Sequence, residues 1–297
     1  MEFYIIIAII AYLAFAVNGV IDKFLLKKAI PQPATYAFYI GTLSGFTVLL
    51  IPFGFSIPRA SIIILAFISG ALFIYALTAM FSSLKYAEAS RVLPTIGAIV
   101  PFVTYVLSFF ILNERLSRVE SIGFLLLIFG MILISFDAKE KAKSHHWLMY
   151  ACFAGMLFAL SFTLTKVVYL DQAFISGLVW TRFGLVLGAL SILLIPSARK
   201  GIFKTTGQVE KPTGILFFAG QIIGAGAGIT QSFAISLGSV TVVNALQGTQ
   251  FGFLIVITAM LSRWHSKILK EDFSKSAVVK KVGAIILITL GLVLISL

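Results

Sequence analysis

Long apolar runs separated by short polar joints set the pattern of this chain. A helix that crosses the hydrocarbon core needs about 20 apolar residues. Ten stretches meet that length: 3–24, 34–53, 61–84, 90–112, 119–136, 147–169, 173–195, 214–236, 239–261 and 278–296. Most joints are short, so consecutive spans run antiparallel as neighbours. The longer charged connections, 137–146, 197–213 and 262–277, read as solvated loops. The first of them divides the ten spans into two sets of five, with a first unit at 1–137, a charged linker at 138–146 and a second unit at 147–297.

The two sets share marks in one register. Phe15-Ala16 recurs as Phe158-Ala159, Lys23 as Lys166, and Gly41/Gly45 as Gly184/Gly188, each 143 residues later. After one extra residue, the run LLIP closes the second span of both halves, at 49–52 and 193–196. Four matches in one register indicate an internal duplication. Five is odd, so duplicated halves enter the membrane from opposite sides. The expected fold is therefore an all-α integral membrane protein whose ten transmembrane helices form two five-helix inverted-topology repeats. That is the plan of many secondary transporters, with a site near the midplane between halves.

Composition sharpens this picture. Of 297 residues, 60% are hydrophobic and 11% charged, with a mean hydropathy of +1.06. A soluble domain carries about 25% charged residues, so lipid is the expected solvent. The net charge of +12 lies between the apolar runs, where it faces headgroups and sets orientation. No basic patch with interleaved aromatics suggests nucleic acid. The joints after odd-numbered spans hold 18 Lys and Arg and those after even-numbered spans hold 4, which places the termini outside the cell. Cys152 is alone, so no intrachain disulfide forms. The start, Met1-Glu2-Phe3, has no basic leader, and the first apolar run reads as a retained span.

Motifs of catalysis are absent. No GxxxxGK[ST] run cradles nucleotide phosphates, and there is no HExxH or GxSxG. His145, His146 and His265 all fall in joints, with no metal cluster expected, and no pair of carboxylates lies inside a span. No cofactor is implied, and an intramembrane enzyme is a weak runner-up class, level with a non-transporting receptor or scaffold.

Residues 84–135, LKYAEASRVLPTIGAIVPFVTYVLSFFILNERLSRVESIGFLLLIFGMILIS, resemble the EamA family of the drug/metabolite transporter superfamily. The resemblance is carried by a small-residue turn (Ala87, Ala89, Ser90), Pro101 inside the fourth span, Glu114 at its end, and Gly123 and Gly130 in the fifth. Arg182-Phe183 and the closing VGAIILITLGLVLIS fit the same pattern. The family implies cytoplasmic termini, which conflicts with the charge count. It also implies a cavity lined by spans one to four and six to nine, with spans five and ten peripheral. At an offset of 149 the second half has Gln250 and Arg263 where a proline and glutamate would correspond. Spans one and six contain no glutamate of the kind that small multidrug exporters of this superfamily use for proton coupling.

The candidate site residues are polar groups at membrane depth. Arg182 lies about nine residues into span seven, roughly 13 Å deep, where an arginine costs roughly 2.5–3.5 kcal/mol and needs compensation. A substrate carboxylate or phosphate completes the pair in one reading. In the other, Arg182 bonds carbonyls freed at broken helices or reaches an acid in the fold. Asn244, Gln247 and Gln250 share one broad helical face, and with Gln221 they line a cavity or join helices. Asn18, Tyr75 and Trp180 are the further substrate-binding candidates. Lys23, Lys166 and Glu114 are gate or interface charges, the lysines by default reaching toward the interface. Pro94 and Pro101, seven residues apart on one face, can bend their helix and shape the pathway.

The function expected is that of a carrier for a small polar metabolite, an amino acid or related compound, exported by alternating access across the plasma (inner) membrane. A nucleotide-sugar or phosphorylated-sugar exchanger is the alternative. Its partners are the substrate, the bilayer and a possible coupling ion. Oligomeric state is left open.

Overall fold

The computed structural model describes residues 2–28, 32–87, 89–135, 145–206, 211–264 and 275–296, and among them every regular element is helical. The helices are α1 (Phe3–Lys28), α2 (Pro33–Leu43), α3 (Ala60–Ser83), α4 (Ala89–Ile111), α5 (Arg118–Ser135) and α6 (His146–Asp171). They continue as α7 (Phe174–Ile192), α8 (Pro196–Thr206), α9 (Lys211–Leu237), α10 (Val240–Ala245), α11 (Gln247–Trp264) and α12 (Lys275–Ser296). A 3-10 helix, Ser44–Phe53, prolongs α2. All ten apolar stretches are occupied by helix.

Eight segments of the described residues are long and apolar enough to cross a membrane. Arg118–Ser135 and the shorter apolar helix Val282–Ser296 fall outside those eight. Two expected spans are not single α-helices. The second is α2 followed by 3-10 turns, and the ninth is broken at Leu246 into α10 and α11. Residues 197–213, read as a loop, contain α8 with Arg199, Lys200 and Lys204 on it. The linker expected at 138–146 lies outside the described residues as far as position 144.

Local sequence explains the breaks. Ser239 caps α10, its Oγ accepting from the Val242 amide at 3.0 Å. Ser117 and Glu120 bond each other's backbone amides at the start of α5, a capping box. Asn113 takes a left-handed conformation, φ 53°, and closes α4 ahead of Glu114.

Glycine sets how closely the helices approach. A Cβ on Gly184 would stand 2.6 Å from the Ala66 carbonyl oxygen, and one on Gly188 2.8 Å from Ala71 Cα, so α7 lies backbone-to-backbone on α3. Gly123 and Gly291 seat α5 against α12 in the same way. Between α3 and α6, Ser69 Oγ donates to the Ser161 carbonyl and Ser161 Oγ to the Ser69 carbonyl, both at 2.9 Å. α1 packs along α9 and α11, and α4 along α6 and α10. Helices of one half thus pack chiefly on helices of the other.

The antiparallel order defines two ends. One carries the start of α1, the end of α12, and the joints α4–α5, α6–α7 and α9–α10. The opposite end carries α8.

Candidate functional site

α7 places Arg182 in the interior. Its Gly184 and Gly188 hold one face on α3, while the guanidinium reaches toward α9, 3.5 Å from the position a Cβ on Gly228 would take. Among the described residues this guanidinium has no ion pair and no hydrogen bond, and the residue as a whole is half-buried. Asp171, the nearest acid in sequence, instead pairs with Arg59 at 3.0 Å. The Tyr169 hydroxyl is buried without a hydrogen-bond partner, with Arg182, Thr181 and Ser232 as its polar neighbours. Arg182 and Tyr169 therefore form a donor pair facing α9, and nothing in the sequence pointed to Tyr169.

The small face of α9 divides its work. Gly220 and Gly224 receive Asn18 of α1, whose side chain would stand 3.3 Å from a Cβ added at the first and 3.2 Å from one added at the second. Gly228 leaves room for Arg182. Gln221 donates to the Tyr36 hydroxyl at 3.4 Å, and Gln231 donates to Tyr12, whose hydroxyl donates to the Val243 carbonyl at 2.9 Å. Tyr12 thereby meets a carbonyl beside the α10–α11 break, as buried backbone groups require.

The other candidates divide into three groups. Gln247 and Gln250 sit at the start of α11, partly accessible, with no side-chain hydrogen bond among the described residues. Asn244 is fully buried, and its amide nitrogen donates to Thr104 Oγ1 at 3.1 Å. Trp180 and Tyr75 are not brought to Arg182. Trp180 donates to the Ser56 carbonyl and stacks on Phe55, and the Tyr75 hydroxyl bonds Ser191 Oγ at 2.7 Å. Two residues apart on a helix means about 200° of rotation, which puts Trp180 and Arg182 on opposing faces.

The gate charges behave differently from simple interfacial residues. Lys166 does not reach outward; its ammonium donates to the carbonyls of Ile235 at 2.9 Å and Gly238 at 2.7 Å, capping α9. A cation at a helix C-terminus meets unsatisfied carbonyls and the negative end of the dipole. The Lys23 side chain lies outside the described residues. Glu114 accepts from Thr241 Oγ1 at 2.9 Å, across the halves. Pro94 and Pro101 both lie within the continuous helix α4. At the same end, Ser56, Gln172 and Ser176 form a hydrogen-bonded cluster beside Arg59–Asp171. A surface cleft among Glu2, Tyr4, Glu120 and Ser239 also opens there, away from Arg182.

Long apolar helices packed on one another define a multi-pass integral membrane protein. Residues 2–136 match the model of the EamA-like transporter family, in keeping with the resemblance of 84–135. The matched family is one of membrane transporters. No curated protein matches the sequence. Among matching solved chains, one protein crystal structure aligns over 96% of this chain and 98% of its own, at TM-score 0.67 and 17% identity. That likeness is one of fold.

Proposed function

We propose that the protein is a ten-span carrier with two inverted repeats that exports an amino acid or related carboxylate across the plasma membrane by alternating access. The observation that carries this reading is Arg182, an interior cation with no acidic partner among the described residues, partly accessible and opposed by glycine. An unpaired guanidinium at such depth is costly, and a substrate carboxylate offers it two parallel hydrogen bonds. Tyr169 supplies a further donor. A nucleotide-sugar exchanger needs more than one free interior cation, whereas Lys166 is engaged by α9.

Counterflow in proteoliposomes with a panel of labelled amino acids tests the proposal. The wild type should accelerate exchange of at least one zwitterion. Arg182→Gln should lower that exchange by at least tenfold while its elution profile and melting temperature stay unchanged. Full exchange by the variant would overturn the role of Arg182, and no exchange of any carboxylate by the wild type would overturn the substrate class.

A further inference from the structure

The contact of α10 with α4 holds a ladder of oxygens that the carrier reading leaves unused. α10 and α4 run antiparallel here. Asn244 faces Thr104, with Nδ2 donating to Oγ1 at 3.1 Å. About one turn nearer the termini end, Thr241 follows on α10 and Ser108 on α4, and Thr241 Oγ1 binds Glu114. Two oxygens in this ladder have no partner although both residues are completely buried: Asn244 Oδ1 and Ser108 Oγ. A serine within a helix commonly returns its hydroxyl to a carbonyl one turn back, as Ser82 and Ser121 do. Ser108 does not.

We propose that this ladder is a binding site for a monovalent cation of the size of Na+, coordinated by Asn244 Oδ1 and Ser108 Oγ with oxygens of Thr104 and Thr241 adjacent. A buried acceptor left unpaired is costly, and a small cation is a ligand that satisfies several acceptors together. The ladder lies along α10, whose residues Val240–Ala245 are all buried in the protein. Glu114 adds a carboxylate at one end of the ladder. Lys166, the neighbouring cation, is directed to the carbonyls of α9 and makes no ion pair with Glu114. The proposal deepens the carrier reading by assigning a coupling ion, but the binding itself needs no substrate.

Thermal unfolding of the purified protein, without substrate, tests it in NaCl against choline chloride at equal ionic strength. At a Na+ concentration ten times its dissociation constant, linkage raises the folded-to-unfolded ratio about tenfold. Ser108→Ala should lose most of that response. It should also be at least as stable as wild type in choline, because it removes a buried oxygen that has no partner. Asn244→Asp, which places a carboxylate at the same position, should shift the Na+ titration to lower concentration. Thr230→Ala, distant and bonded to its own helix at Gly226, should respond as wild type. Identical melting in NaCl and choline overturns the site, as does a Na+ response unchanged in Ser108→Ala. Counterflow of substrate that persists after such a result would leave the carrier reading standing without this ion.

Discussion

At the scale of single residues, burial and partners separate groups that look alike in the sequence. Arg182 and Lys166 are both cations within apolar runs. Lys166 meets three carbonyls at the end of α9, those of Ile235, Ser236 and Gly238, while Arg182 meets none. Lys166→Met keeps most of the side-chain length but leaves those carbonyls without a donor. We expect it to destabilise the protein by about 1–3 kcal/mol, read as a lower melting temperature in detergent. Arg182→Gln should lose transport without losing stability. Comparing the two variants separates a structural cation from a binding one. Arg182 was legible in the sequence because charge at membrane depth is rare; Tyr169 was not, since an aromatic in an apolar run is ordinary until its hydroxyl is seen to lack a partner.

At the scale of elements, helix approach is decided by where glycine faces glycine or a backbone. Gly70 of α3 rests on α7, where an added Cβ would strike Leu185 N, Thr181 O and Gly184 C. Backbone cannot yield as a side chain can, so Gly70→Leu should separate α3 from α7. Overpacking costs typically ~1–3 kcal/mol, and here it also moves the helix that carries Arg182. The expected outcome is reduced transport together with a lower melting temperature. Gly226→Ala, where an added Cβ meets nothing within 4 Å, is the matched control and should be silent on both measurements. The sequence marked Gly41/Gly45, Gly184/Gly188 and the four-residue glycine spacing of α9 as close-packing faces. It could not say which helix each face receives, because small residues permit approach without selecting a partner.

At the scale of the whole molecule, one end is held by polar contacts between the halves. Ser56 and Ser176 hydroxyls lie 3.1 Å apart, beside Gln172 and the Arg59–Asp171 pair. If this end must open during transport, a covalent link across it stops the cycle. In a background with Cys152→Ser, the pair Ser56→Cys and Ser176→Cys should form a disulfide on oxidation and abolish counterflow, with recovery on reduction. Exchange that continues in the oxidised protein would show that these segments do not separate. Lys85, Arg199, Lys200 and Lys204 lie toward the opposite end, and a C-terminal reporter fusion identifies the side of the membrane each end faces.

By itself the sequence determined the membrane class, the ten apolar stretches that become helix, the family resemblance and the exceptional place of Arg182 within an apolar run, because burial in lipid demands long apolar runs and makes every polar exception conspicuous. Only the tertiary structure decided the rest. It split the ninth stretch at Leu246, directed Lys166 to α9, turned Trp180 and Tyr75 away from Arg182 and brought Glu114 to Thr241. It also joined Asn244 to Thr104. These outcomes depend on which helix faces which across the two halves, and in a chain where nearly every face is apolar that choice is made by close packing and hydrogen-bond satisfaction between distant segments.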